Sequence, residues 1–159
     1  LGCGQAGNQP WLRELLATEG LTDITQIEVG RVPYRDSLQR LARAGLLVAL
    51  NEAATDTGED LAYARLMVPA KVYEYLRLGR PFLVLCGAGA IAQLLARTGG
   101  GFACFAADQT RIQEHVSRAF ATWQAGDDGP SGEGVSAFER YRLSGRLASE
   151  LDRLAGPAG

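Results

Sequence analysis

The sequence predicts an α/β fold with a mainly parallel β-sheet and helices on both faces. Apolar runs that favour buried strands alternate along the chain with segments whose apolar residues recur at helical spacing. Turns rich in glycine or proline separate these segments. Because helices then connect successive strands, the crossovers are expected to be right-handed and the strands parallel.

Length and composition are those of one globular domain over residues 1–159. The chain has 159 residues, 47% hydrophobic and 21% charged, which is enough to bury a sizeable core. No apolar run approaches the roughly 20 residues that span a membrane. Because the chain opens without Met, we expect a piece of a longer protein whose targeting information is not visible.

Charge and cysteine content exclude some classes of function. A net charge of -2 argues against general nucleic-acid binding, which needs a basic surface. Cys3, Cys86 and Cys104 are odd in number and far apart, as is usual for reduced cytosolic thiols. Neither they nor His115 show metal-ligand spacing, and we expect a solvated histidine, no metal and no cofactor.

The first half of the chain is predicted to hold two helices and two strands. Proline is favoured in the first turn of a helix, and Asp or Ser is favoured as a cap. The predicted elements are a helix at Pro10–Thr18, a strand at Ile24–Val29, a helix at Asp36–Ala44 capped by Asp36 or Ser37, and a strand at Leu46–Asn51.

The second half continues the alternation. Its predicted elements are a helix at Pro69–Leu78, a strand at Pro81–Cys86, a helix at Ala90–Thr98, a strand at Gly101–Ala106 and a helix at Gln109–Gln124. Residues 125–134 have the composition of a flexible linker, and a last helix is predicted over 136–154. Part of its apolar face is expected to lack a partner, which favours fraying or a dimer through this helix.

In parallel sheets, ligands bind beyond the carboxyl ends of the strands. That rule selects the loops Gly30–Tyr34, Glu52–Val68, Gly87–Gly89 and Ala106–Asp108. A candidate binding site therefore involves the helix that leaves the second of these loops.

That helix carries a group of residues suited to a nucleoside diphosphate. With Pro69 as its first residue, the amides of Ala70, Lys71 and Val72 would be free donors at the positive end of the helix dipole, which attracts phosphate. Lys71 adds a full charge, and Glu74 could accept hydrogen bonds from the vicinal hydroxyls of a ribose.

A simpler interpretation of the same residues is open. Lys71, Glu74 and Arg77 are spaced by three and fall along one polar stripe, so Glu74 could pair with both cations and face water. Likewise, Gly87 and Gly89 form either a plain tight turn or a place where the backbone approaches phosphates.

The stretch "VPAKVYEYLRLGRPFLVL" resembles the donor-binding C-terminal domain of retaining GT-B glycosyltransferases, in particular the bacterial group 1, family 4-like enzymes. Glu74 takes the place of the second Glu of their acidic motif, and Gly79 and Pro81 take the places of the Gly and Pro that follow. The order of flanking segments is also similar, from about Ile24 to Gln124.

The resemblance implies a Rossmann-like half of a GT-B fold, preceded in the intact protein by a first strand and an acceptor-binding domain. It implies that Glu74 binds the donor ribose, that Val32 lies by the nucleobase and that Ala70 and Lys71 meet the diphosphate. The intact enzyme would move sugar from a UDP, GDP or ADP sugar to a polysaccharide, lipid or small acceptor. It would be cytoplasmic, with peripheral membrane attachment left open, and the isolated chain would be inactive.

Two alternatives remain. Leu66 stands eight residues before Glu74, where many of these enzymes carry an acid that contacts the sugar; this favours a non-catalytic domain that binds a nucleotide sugar or a partner. The glycines of "LGCGQAG", followed 21 residues after Gly7 by Glu28, formally match a dinucleotide fingerprint of an NAD-binding oxidoreductase. However, no strand precedes them and Pro10 follows, so the fingerprint lacks its structural context.

Overall fold

The computed structural model describes residues 9–28, 30–51, 65–126 and 133–156. Contacts divide the chain into two compact units, Leu1–Arg40 and Leu41–Gly159. The predicted α/β class is confirmed, because the second unit holds a three-stranded parallel sheet whose strands alternate with helices. None of the helices in the described ranges combines the length and apolarity that crossing a membrane requires.

The first unit contains α1 at Pro10–Thr18, a 3-10 turn at Thr22–Ile24 and most of α2 at Tyr34–Leu41. Helix α1 has the predicted bounds, with Pro10 in its first turn. Neither helix buries a residue fully.

Two predictions for this part of the chain are wrong. Within the described residues, the strand expected at Ile24–Val29 is absent: Ile24 ends the 3-10 turn, and residues 25–28 pair with no strand. Extended residues form a sheet only when they hydrogen-bond to a neighbouring strand. Val29, the last residue of the predicted strand, lies outside the described residues. Helix α2 starts two residues earlier than Asp36, because Pro33 already accepts the first helical bond from the Ser37 amide, so neither predicted cap occupies the cap position.

The second unit carries the sheet and the remaining helices. Its elements are β1 Leu47–Leu50, α3 Ala70–Leu78, β2 Phe82–Leu85, α4 Ala90–Thr98, β3 Phe102–Cys104, α5 Gln109–Gln124, a 3-10 segment Glu133–Phe138 and α6 Arg140–Ala155. The bounds of α4 and α5 are those predicted, and the three strands lie inside their predicted ranges. Helices α3 and α4 end at Gly79 and Gly99, whose φ values of 64° and 63° are in the left-handed region that favours glycine.

The strands lie in the order β1-β2-β3, and both pairs are parallel. Leu47 pairs with Phe82 and Leu83 pairs with Phe102. Because all three strands point the same way, their carboxyl ends meet at one edge of the sheet. The connections that leave this edge lead to α3, α4 and α5.

The main core lies on the face of the sheet that α3 and α4 cover. Its buried residues are Leu47, Ala49, Val72, Tyr75, Leu76, Phe82, Val84, Cys86, Ile91, Leu94 and Leu95. Phe82 is fully buried at the centre of this face and meets Tyr75 edge-on, with 5.8 Å between ring centroids. A Cβ atom at Gly101 would lie 2.5 Å from the Phe82 ring, so only glycine fits beneath the ring.

Helix α5 covers part of the opposite face, which confirms helices on both faces. Leu83 and Cys104 are buried there, and Phe102 stacks on His115 of α5 with centroids 4.2 Å apart. At β1 this face is open, since Val48 is 50% exposed and Leu50 73% exposed.

The C-terminal region differs from the single helix predicted over 136–154. A 3-10 segment comes first, and Phe138 and Val135 pack against the main core. The chain turns at Glu139, and α6 then runs without one buried residue. Of the predicted linker, 127–132 lies outside the described residues, whereas Gly134 fits against α4, where an added Cβ would lie 2.8 Å from the Arg97 carbonyl oxygen.

Candidate functional site at the carboxyl edge of the sheet

Helix α3 begins at the carboxyl edge with amides that donate to none of the described residues. Pro69 is the cap residue, with φ -59° and ψ 142°, and not the first helical residue as predicted. The Val72 amide donates to the Pro69 carbonyl oxygen at 2.9 Å, so the set of free amides shrinks to Ala70 and Lys71. Both residues are exposed, and the first turn contains no acidic residue. This end of α3 is therefore electropositive.

Glu74 lies one turn further along α3 and is half-buried. The expectation that it pairs with Lys71 and Arg77 is not met: within the described part of the chain, its carboxylate makes no ion pair or hydrogen bond. Its partial burial distinguishes it from the more exposed Lys71 and Arg77. A carboxylate in this position can accept hydrogen bonds from a ligand at no cost to an existing protein contact.

The turn between β2 and α4 lies against the connection that precedes α3. A Cβ atom at Gly89 would lie 2.5 Å from the carbonyl oxygen of Arg65 and 2.9 Å from its Cα. The φ of Gly89, 164°, is extended and open to any residue, so close packing and not backbone conformation requires glycine here. The contact brings the connections after β1 and β2 together at the carboxyl edge. Gly87 lies two residues earlier in the same turn and is half-buried.

Asn51 is a residue of this edge that the sequence argument did not select. It follows β1 directly, is 8% exposed, and extends the ladder by donating its backbone N–H to the Leu85 carbonyl oxygen at 3.0 Å. Its side chain hydrogen-bonds no described residue. The signal in the sequence is a lone amide that ends the apolar run "LLVAL".

The remaining residues singled out in the sequence belong to both units. Val32 is half-buried in the first unit, between Gly30 and α2. Leu66 is 79% exposed, next to the Arg65 backbone that contacts Gly89. Gly2, Gly4 and Gly7 lie outside the described residues, and Glu28 forms an ion pair with Arg40, which occupies the carboxylate that a dinucleotide ribose would need.

The thiols of the sheet are buried and unbonded to each other. Burial raises the pKa of the Cys86 thiol, and the neighbouring Cys104 adds to this; burial and Asp108 likewise raise the pKa of Cys104. Their side chains lie on opposite faces of the sheet, because Leu85 and not Cys86 pairs with Cys104. High thiol pKa values disfavour reactive thiolates. Among the described residues, no three His, Cys, Asp or Glu side chains are grouped as metal ligands.

His115 is not the solvated residue that was predicted. Its ring stacks on Phe102, and its Nδ1 atom is buried without a hydrogen-bond partner in the described structure. Burial lowers the pKa of His115, and the nearby Arg111 and Arg118 lower it further. The sequence did not predict this burial, because His115 lies beside the apolar stripe of α5 and not on it.

No family model, curated protein or solved structure matches this chain. The fold is therefore known from its own strands and helices, and the residues at the carboxyl edge are what indicate a function. Those residues are the free amides of α3, Lys71, Glu74, Asn51 and the packed turn that ends at Gly89.

We expect the free energy of unfolding to fall as the pH drops through about 6.5. Protonation of His115 should be the cause of this loss. Because the pKa of His115 is lowered in the folded state, the unfolded chain binds more protons in that range, so acidification favours unfolding. His115 is the sole histidine, and His115→Phe keeps a ring to stack on Phe102.

The measurement is urea unfolding at several pH values between about 7.5 and 5.5, above the range in which most carboxylates titrate. The variant should lose less stability than the wild type over this interval. Equal slopes in the two proteins would contradict the assignment.

Proposed function

We propose that this chain binds the nucleoside diphosphate part of a nucleotide sugar at the carboxyl edge of its sheet, as the donor-binding half of a GT-B glycosyltransferase. The observation that carries the proposal is the pairing of two features on α3. Within the part of the chain that the structure describes, its first two amides and Lys71 have no partner, and one turn later the half-buried Glu74 has none either.

The chemistry of these groups matches the two ends of such a ligand. Free amides at a helix N-terminus and an adjacent ammonium group stabilise a diphosphate. An ionised carboxylate only accepts hydrogen bonds, so it suits the vicinal hydroxyls of a ribose and repels phosphate. One turn of α-helix advances about 5.4 Å, so the two subsites are separate but within the length of one nucleotide.

In the intact transferase, this half would position the donor and stabilise the leaving diphosphate. Lys71 and the helix dipole favour the negative charge that develops as the bond between sugar and phosphate breaks. The chain's own contribution is then electrostatic and orientational, with transfer to a polysaccharide, lipid or small acceptor.

A non-catalytic domain for nucleotide sugars or for a partner protein is the second candidate. The observation that favours it is Leu66, an exposed apolar side chain next to the connection that contacts Gly89, where the similar enzymes carry an acid. A non-catalytic domain for nucleotide sugars would share the nucleotide site with the transferase. They differ in whether the intact protein transfers sugar from the donor it binds.

We expect substitutions at Glu74 and Lys71 to weaken nucleotide binding in different ways. Hydrogen bonds to a charged group contribute about 1.5–3 kcal/mol, so Glu74→Gln should lower ribonucleotide affinity about tenfold or more. The loss should shrink with a 2′,3′-dideoxy nucleotide, which offers no hydroxyls. Lys71→Ala should weaken diphosphates more than nucleosides, and its effect should fade as salt rises.

Titration calorimetry with UDP, GDP, ADP and their nucleosides measures both patterns. Arg77→Ala is a matched control, because it removes a cation from the last turn of α3, away from the free amides. Glu114→Gln is the control for the carboxylate, since Glu114 is exposed on α5. A diphosphate that binds equally well to the wild type and to Glu74→Gln would rule out the ribose role of Glu74.

We also propose that a second copy of the chain covers the apolar face of α6. Leu147 lies midway between Leu143 and Leu151, and each of these exposes 44–62% of its surface. In an antiparallel pair centred on Leu147, Leu143 faces Leu151 of the other copy. In this pair the first half of α6, which carries Arg140, Arg142 and Arg146, runs past the second half of the other copy, which carries Glu150 and Asp152.

Sedimentation velocity over a range of concentrations tests this dimer. We expect self-association in the wild type and its loss in Leu147→Glu, which places charges at the centre of the face. Leu66→Glu is the control, because Leu66 is an exposed leucine outside α6. A monomer at every concentration would contradict the proposal, and α6 amides that exchange in this monomer as slowly as those of β2 would also rule out fraying of the helix.

A further inference from the structure

Asn51 is a buried polar residue whose side chain has no hydrogen-bond partner among the described residues. Two polar residues are buried in the described chain, Asn51 at 8% and Thr98 at 4% exposure. The Thr98 hydroxyl donates to the Leu94 carbonyl oxygen at 3.0 Å. In contrast, the Asn51 carboxamide makes no hydrogen bond with the described residues. Its two donors and its acceptor therefore remain available to a ligand.

The position of Asn51 places this amide at the carboxyl edge. The burial pattern of β1 alternates, with Leu47 and Ala49 buried in the main core, and Asn51 continues the alternation on that same side. This is the face covered by α3 and α4, and both helices begin at the carboxyl edge. The polar side-chain atoms of Asn51 keep some accessible surface. Among the described residues, the side-chain atom that is both inaccessible and without a hydrogen-bond partner is Nδ1 of His115.

The surroundings of Asn51 favour an anion. Neither α3 nor α4 has an acidic residue in its first turn, and neither start has a side-chain cap. Pro69 leaves the amides of Ala70 and Lys71 free, and Lys71 adds a positive charge. Two uncapped helix N-termini and one ammonium group therefore open on the edge at which Asn51 ends β1.

We propose that Asn51 is a phosphate-binding residue, whose Nδ2–H group donates to an oxygen of the diphosphate held at the start of α3. The identity of the ligand as a nucleoside diphosphate rests on the proposed function, whereas the anion subsite itself does not. Asn51 thus joins Lys71 and the free amides in binding phosphate, while Glu74 binds the sugar of the nucleotide.

Titration with inorganic pyrophosphate, which has neither base nor sugar, tests the subsite separately from the nucleotide. Asn51→Asp is nearly isosteric but replaces the amide donors by a negative charge, and should lower pyrophosphate affinity about tenfold or more. Asn51→Leu keeps a similar size, lacks donors and should weaken binding severalfold. Because the native amide has no hydrogen bond to lose within the described structure, the urea midpoint of Asn51→Leu should equal or nearly equal that of the wild type.

Thr98→Val is the control for a change at a buried polar residue, and it should leave pyrophosphate affinity unchanged. Wild-type affinity in a folded Asn51→Leu protein would overturn the proposal. Nucleoside diphosphates that bind and respond to Glu74→Gln, without measurable pyrophosphate binding at millimolar concentration, would overturn the subsite and leave the nucleotide site standing. A third outcome is pyrophosphate binding that depends on Asn51, with the same affinity for nucleoside diphosphates as for pyrophosphate. This outcome would support the subsite and contradict the nucleotide site.

Discussion

The burial of Phe82 at the centre of the sheet is the contact on which the rest of the second unit depends. Its ring fills the space left by the missing side chain of Gly101 and meets Tyr75 of α3 edge-on. One side chain therefore links β2, the start of β3 and the helix that carries the candidate site. Burial of a phenylalanine contributes about 1.5–3 kcal/mol, and a methyl group at Gly101 would collide with the ring. The position of α3 over the sheet follows from this packing.

That position explains why polar groups can remain unpaired at one edge. The apolar residues of α3 bind the helix to the core, so Glu74 and the first two amides are not needed to hold it there. Asn51 is likewise held by its backbone bond to Leu85 and not by its side chain. Proteins keep costly unpartnered groups mostly where a ligand satisfies them. Asn51, Glu74 and the first amides of α3 lie at the carboxyl edge, whereas the buried Nδ1 atom of His115 lies on α5, and the His115 ring stacks on Phe102 at the start of β3.

The sequence predicted the elements whose local signals agree with their packing. Helices α4 and α5 have regular apolar spacing and clear boundaries, Gly99 after α4 and Asp108 capping α5, and both were predicted to the residue. The strand expected at Ile24–Val29 failed because a strand requires a neighbour, which a local pattern cannot supply. The residues of the candidate site could be selected from the sequence only in part. Lys71 and Glu74 stand out as charged residues in an apolar helix. The lack of a hydrogen-bond partner for the Asn51 side chain depends on which residues the fold places around it. His115 is buried by its contact with Phe102, a strand residue that is distant in the sequence.

The most direct test of the account is an NMR titration of the ¹⁵N-labelled chain with UDP, GDP and ADP, followed through the backbone amides. If α3 binds the diphosphate, the largest shift changes should occur at Ala70 and Lys71, and they should be much smaller with the matching nucleoside. A diphosphate that binds but shifts amides elsewhere, or none that shifts those of α3 even at millimolar concentration, would contradict the account.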